Sequence, residues 1–151
     1  MRAGAIQLVG LGNVTLRQRQ FGEAAKFFSE ALALGREIDD KLVIAQCLEG
    51  LAVVASAGSP LVSSLSNTTK HAAVRAAQLF GAAAALHDAL QAPVSLTERA
   101  DFDGSVAAIR TQLDDGTWSA AYTEGRTMSL DQAITYALET IALRRHDGAA
   151  A

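Results

Sequence analysis

Apolar residues recur at a helical spacing along most of the chain, and no segment shows the strict alternation of a strand. The first stripe is closed by the polar run 18–20, and Phe21-Gly22 predicts a tight turn with Gly22 in the left-handed conformation. A second helix is predicted over residues 23–38. The first stripe comprises Ile6, Leu8, Val9, Leu11, Val14 and Leu16, and the second comprises Ala24, Phe27, Phe28, Ala31, Leu32 and Leu34.

The third predicted helix spans residues 41–57 and is apolar around most of its circumference. This pattern predicts a buried, central position. Asp39 and Asp40 supply an N-cap whose negative charge complements the helix dipole. Gly58-Ser59-Pro60 stops the helix, and the Ser/Thr/Asn-rich residues that follow predict an exposed loop over 58–69.

Four more helices are predicted in the second half of the chain. The fourth covers residues 70–91 and is broken by Pro93. The fifth and seventh each follow a capping box, Ser95–Glu98 and Ser129–Gln132. A turn at 114–116 leads into a short sixth helix. The sequence therefore predicts an all-α fold of about seven helices in antiparallel pairs, with one domain over 1–145 and a mobile tail over 146–151. The stripe of the seventh helix is Ile134, Ala137, Leu138 and Ile141.

An internal repeat supports stacked helix pairs. The segment Leu8-Val9-Gly10-Leu11 recurs as Leu48-Glu49-Gly50-Leu51, and Ala24–Phe28 recurs as Ala76–Phe80. Small residues let two helices cross closely, so we expect Phe28 to fill the groove beside such a crossing. The first pair resembles the tetratricopeptide repeat. Residues at that pattern's spacing are Leu11, Gly12, Ala24, Phe28 and Ala31, whereas Thr15, Arg36 and the 40-residue offset of the first helices depart from it.

A second resemblance covers nearly the whole chain. Segments 46–52, 76–83, 122–126 and 128–138 are similar to the C-terminal region of large bacterial regulators. Those regulators combine a LuxR-type helix-turn-helix or a nucleotide-cyclase domain with a signalling ATPase and a tetratricopeptide-like tail. The resemblance implies that this chain is the sensor and protein-contact arm. The sequence itself has no ATPase or helix-turn-helix signature, so we expect either a fragment of a regulator or a stand-alone relative.

The composition limits the classes of partner that we expect the chain to bind. Half of the 151 residues are hydrophobic, 19% are charged, and the net charge is −3 without a basic stripe, which argues against direct nucleic-acid binding. The most apolar segment, 42–57, is too short to span a bilayer. Because Cys47 is the only cysteine and no leader pattern is visible, we expect a cytoplasmic protein with no disulfide and no membrane association.

No catalytic, cofactor-binding or metal-binding residues are predicted. Gly10–Thr15 lacks the third glycine and the preceding strand of a dinucleotide fingerprint. The three histidines, His71, His87 and His146, have no second ligand at metal spacing. Cys47 in an apolar helix is expected to act as a small hydrophobe. These patterns favour a protein that is not an enzyme and needs no cofactor.

Partner binding is the favoured role, and its residues are predicted from two patterns. Trp118 and Tyr122 share a helical face and are either a binding hot spot or a cap of the core. Arg17, Arg19 and Lys26 are candidates for a concave binding surface. The expected function is a protein-interaction or ligand-sensing module that binds a protein, a peptide or the rest of a regulator. The alternative is a self-associating module, a homodimer in which a second copy covers the apolar end.

Overall fold

The computed structural model describes residues 2–57, 67–91 and 96–150. Every element in these ranges is a helix, which confirms the all-α prediction. None of these described helices has the length and hydropathy needed to cross a membrane. The helices are α1 (Arg2–Arg17), α2 (Phe21–Glu37), α3 (Lys41–Ala57), α4 (Asn67–Leu90), α5 (Leu96–Arg110), α6 (Asp115–Arg126) and α7 (Leu130–Ala150).

Two helix ends show that the left-handed turn residue is not a glycine. Arg19 after α1 and Asp39 after α2 have φ values of 61° and 54°. The N–H of Gln20 donates to the carbonyl of Thr15 at 2.9 Å, which closes α1 in a Schellman motif. The prediction that Gly22 is left-handed is therefore wrong, because the motif completes the turn before α2 begins at Phe21.

The predicted caps are largely confirmed. Asp40 accepts the N–H of Val43 at 3.1 Å and so caps α3. At the start of α7 the capping box is reciprocal. The N–H of Gln132 donates to Ser129 Oγ at 3.1 Å, and the N–H of Ser129 donates to Gln132 Oε1 at 2.9 Å. Each of these bonds satisfies a backbone donor that the first turn of a helix leaves unpaired.

Some predicted boundaries shift. Asp114 accepts the N–H of Thr117 at 2.6 Å and caps α6, which starts at Asp115 and so includes two residues of the predicted turn. Helix α4 starts at Asn67, three residues inside the predicted loop. The remaining loop residues 58–66, together with Pro93 and Ser95, lie outside the described residues. The mobile tail over 146–151 stays a prediction, although α7 extends to Ala150.

Helix α3 is the centre of the molecule, as its all-round apolarity predicted. Residues 43–45 and 47–55 are all buried, since α2 and α4 pack along it and α7 crosses it. The ring of Phe28 from α2 is fully buried and lies against Gly12 of α1 and Gly50 of α3. A Cβ atom at Gly12 would lie 2.8 Å from the ring, and one at Gly50 would overlap it. Both glycines are therefore required by packing.

The second half of the chain folds back onto the first four helices. Helix α6 packs on α4, and α7 packs mainly on α3 with smaller contacts to α4 and α2. The α4–α6 crossing is so close that a Cβ at Gly81 would overlap the carbonyl oxygen of Tyr122. A Cβ at Gly125 would likewise overlap the carbonyl oxygen of Gln78. Within the predicted α7 stripe, Leu138 is 42% exposed, whereas Ile134, Ala137 and Ile141 are buried.

Repeat-equivalent glycines provide the first test. Gly50→Ala should lower the free energy of unfolding by about 1–3 kcal/mol, because its methyl group meets the buried Phe28 ring. Gly10→Ala should instead raise it by about 0.5–1 kcal/mol, because a Cβ there meets nothing within 4 Å and alanine loses less backbone entropy. Urea denaturation measures both. Equal effects at the two positions would contradict the packing described above, and Phe28→Leu should partly rescue Gly50→Ala.

A second test concerns the α4–α6 crossing. Gly81→Ala should cost at least about 2 kcal/mol, because its methyl group has a backbone carbonyl as neighbour and backbone cannot rotate aside. Amide hydrogen exchange should show lost protection in α6 while α1–α3 remain protected. Gly104→Ala is the matched control, since a Cβ there has open space. Retained protection throughout α6 in Gly81→Ala would show that the helices do not cross as described.

Candidate interaction surface

The outer face of α1 carries the exposed large apolar side chains of the first helix pair. It is defined here as Ala3, Ile6, Gly10, Leu11 and Val14, all of which are exposed. Ile6, Leu11 and Val14 are 48%, 46% and 49% exposed. Isolated exposed apolar residues are common, but several on one helix face mark an interaction site. The sequence pattern could have indicated this exposed face, because the six apolar residues of α1 cover more of the helix than one packed face requires.

The opposite side of α1 explains why this face stays open. Ala5, Val9 and Gly12 are buried where α1 packs on α2 and α3. Those two neighbours cover only one side of the helix. The face that remains carries two small residues, Ala3 and Gly10, with Ile6, Gln7 and Val14 beside them. This shape suits close approach of another helix.

The charged side chains of α1 itself are all basic, although Asp40 of the α2–α3 turn pairs with Arg2. Residues 2–19 contain Arg2, Arg17 and Arg19 and no acidic residue, although the whole chain has a net charge of −3. Arg2 is tied by its Nε–H to Asp40 at 2.6 Å, and Arg19 lies over the Phe21 ring at 5.6 Å. The C-terminal end of the outer face is thus basic. A partner with acidic residues at that end would be electrostatically complementary.

The predicted basic residues lie near this surface but do not form one cluster. Arg17 and Arg19 are exposed at the end of α1, and Lys26 is exposed on α2. The structure therefore brings the two arginines next to the outer face of α1 and places the lysine on the neighbouring helix. Their role in binding stays a prediction.

Trp118 and Tyr122 lie elsewhere, on α6. Their rings stack with centroids 5.5 Å apart and planes at 28°. Trp118 is only 7% exposed and belongs to the hydrophobic core, while Arg110 covers its ring at 5.4 Å. Tyr122 is half-buried. Of the two sequence interpretations, the core cap describes the packing of Trp118, and partner binding by the pair stays a prediction.

A buried polar pair joins α3 to α4. The imidazole Nε2–H of His87 donates to the Glu49 carboxylate, and their side chains are 12% and 8% exposed. The adjacent Asp88 points to a different helix and accepts from Arg126 of α6 at 2.8 Å. Sequence reasoning did not find the Glu49–His87 contact, because the two residues are 38 positions apart. Burial makes both partners necessary, since a lone buried charge is costly.

The described residues also include side chains of the kinds that could hold a metal ion. No three histidine, cysteine or acidic side chains among them converge on a metal-sized site. Cys47 is fully buried, and burial raises the pKa of its thiol well above the usual range. It therefore fits the predicted role of a small hydrophobe rather than a nucleophile.

An open recess of about 640 Å³ lies where the start of α1, the α2–α3 turn and the end of α4 meet. The Arg2–Asp40 ion pair forms part of its wall, so these two charges already satisfy each other. Its apolar lining comes from Ile38, Leu42 and Leu90. The lining residues are Arg2, Ile38, Asp39, Asp40, Lys41, Leu42 and Leu90.

The Arg2–Asp40 pair predicts a pH dependence. Partial burial alone would raise the pKa of Asp40, but the hydrogen bonds from Arg2 and from the N–H groups of Val43 and Leu42, with the charge of Arg2, lower it. Because the folded pKa lies below the unfolded one, the stabilisation is present above the unfolded value near 3.9 and is lost as pH falls through the folded pKa. Asp40→Asn, which keeps a capping side chain, should be less stable than the wild type at neutral pH.

Urea unfolding from neutral to strongly acidic pH measures this difference, which should close at the acidic end. In an Arg2→Ala background the same substitution should show a smaller pH dependence. A difference that stays constant over the whole range would show that the charge of Asp40 does not stabilise the fold.

No protein-family model, curated protein or solved structure matches the sequence. A functional assignment therefore rests on the surfaces described above. In the described residues, the outer face of α1 carries three of the five exposed large hydrophobic side chains.

Proposed function

We propose that this chain is a non-catalytic protein-interaction or ligand-sensing module. Its parent would be a bacterial signalling ATPase or transcriptional regulator, of which the chain forms the C-terminal, cytoplasmic tail. The observation that carries the proposal is the outer face of α1, where Ile6, Leu11 and Val14 are each close to half exposed. A stack of helix pairs presents such faces to neighbouring helices, and its function is binding without covalent chemistry.

Two further observations support the choice of a protein partner. The net charge of −3 gives no basic stripe for a nucleic-acid backbone, so the partner is a protein or a peptide. Two of the four segments that are similar to the regulator tails, 46–52 and 76–83, lie on α3 and α4. The other two, 122–126 and 128–138, lie on α6 and at the start of α7, so the similarity spans both halves of the chain.

Self-association is the second candidate, and the same exposed face favours it. A second copy could cover the apolar side chains of α1, which would make the chain a stand-alone homodimeric module. The two candidates differ in what the isolated chain does. The regulator tail is monomeric by itself, whereas the self-associating module dimerises as concentration rises.

Sedimentation velocity over a wide concentration range separates the candidates. We expect a constant monomer sedimentation coefficient for the wild type. A coefficient that rises with concentration, and that Val14→Glu returns to the monomer value, would favour self-association. Thr135→Glu on the exposed side of α7 is the matched control for the added charge.

The coding sequence upstream of Met1, read in the same frame, tests the parentage. An ATPase and a helix-turn-helix region there would support the regulator tail. An unrelated gene in that position would overturn it.

A further inference from the structure

The internal repeat shows what kind of helix the outer face of α1 is shaped to receive. Helix α3 is the repeat equivalent of α1, since Leu8–Leu11 recurs as Leu48–Leu51. On α3 the equivalent face is occupied by α2. Phe28 of α2 packs on Gly50, and Gly35 of α2 lies against Val43, where an added Cβ would be 3.0 Å from Cγ1. The α2–α3 contact therefore shows how a helix packs on the face of α3 that is equivalent to the outer face of α1.

The same positions on α1 are open. An offset of 40 pairs Gly50 with Gly10, and a Cβ at Gly10 meets nothing within 4 Å. It also pairs Val54, which is 0% exposed, with Val14, which is 49% exposed. Positions 43, 50 and 54 are separated by seven and four residues and share one helix face. Their equivalents 3, 10 and 14 share the outer face of α1, which is thus an uncovered copy of the α2-binding face.

We propose that the outer face of α1 is the docking site of an amphipathic helix that resembles α2 and belongs to the parent regulator. That helix places an aromatic side chain over Gly10 and, seven residues later, a small residue opposite Ala3, as Phe28 and Gly35 do on α3. This inference rests on the proposed function and names its partner. Acidic residues near the end that meets Arg17 and Arg19 complete the match.

A second copy of this chain is the poorer occupant. Its α2 is already packed between its own α1 and α3. Pairing α1 with α1 would supply no aromatic side chain for the open space over Gly10, because α1 contains none. A separate helix with its own aromatic residue has neither obstacle.

The test supplies the missing helix to the intact chain. A second copy of residues 1–40 is added directly before Met1, so that its α2 precedes the original α1 as α2 precedes α3. Val14→Cys in the original copy, in a Cys47→Ala background, reports exposure through its rate of thiol labelling. We expect labelling of the extended chain to slow by at least about tenfold relative to the unextended chain, because the docked helix must open first.

A matched pair of variants tests whether the space over Gly10 holds the aromatic ring of the added helix. Gly10→Leu in the original copy fills the space that the added aromatic ring needs, and it should restore fast labelling. Gly22→Leu, whose Cβ also has open space but lies on α2, should leave labelling slow. Phe28→Ala in the added copy should restore fast labelling as well. Circular dichroism of each variant verifies that it remains helical.

Three outcomes would overturn the docking proposal. Labelling of the extended chain at the unextended rate would show that an α2-like helix does not cover the face. If labelling stays slow in the Gly10→Leu variant, Gly10 does not provide the space for the aromatic ring. Protection of the unextended chain that grows with its concentration would assign the face to a second copy. An unrelated upstream gene would remove the regulator parentage while leaving these labelling results intact, so the two failures are distinguishable.

Discussion

The Phe28 ring between Gly12 and Gly50 is the contact on which the first three helices depend. One aromatic side chain of α2 touches α1 on one side and α3 on the other, and the two glycines give it the space of a Cβ on each side. A close-packed interior leaves no room for even one added methyl group there. The contact therefore limits how closely α1 and α3 can approach α2.

The second half of the structure departs from simple repetition. A regular stack would add each new helix pair beside the last one, but α6 crosses α4 at backbone contact through Gly81 and Gly125. Helix α7 then returns across α3 and is tied to α4 by polar contacts. Tyr136 donates to Gln78, and Arg75 lies 5.2 Å from the Tyr136 ring. These contacts close one end of the stack, whereas α1 leaves the other end open.

This asymmetry links the fold to the proposed function. At the closed end, Trp118 and Tyr122 stack on each other within the α6 packing, so their area is largely used inside the chain. At the open end, Leu11 and Val14 are close to half exposed, although their repeat equivalents, Leu51 and Val54, are completely buried. A residue type that is buried in one repeat and exposed in the other marks a difference in neighbours rather than in intrinsic preference. The interaction surface is thus the face of α1 that the other described helices leave exposed.

Much of the fold was determined by the sequence itself, because its signals are local. The spacing of apolar residues predicted seven helices, the apolarity of residues 41–57 predicted the central α3, and the capping box at Ser129 predicted the start of α7. Turn geometry was less certain. The αL position fell on Arg19 rather than on Gly22, since backbone hydrogen bonds, not residue type alone, selected it.

Only the tertiary structure decided which apolar faces are covered. A helical stripe shows that a face is apolar, but not whether a neighbour packs on it. Ile6 and Leu138 fit their stripes and yet remain exposed. The Glu49–His87 pair and the α4–α6 crossing join residues far apart in the chain, so no spacing rule could reveal them. The open face of α1 was decided in the same way, by the arrangement of helices around it and by the single side from which α2 and α3 cover it.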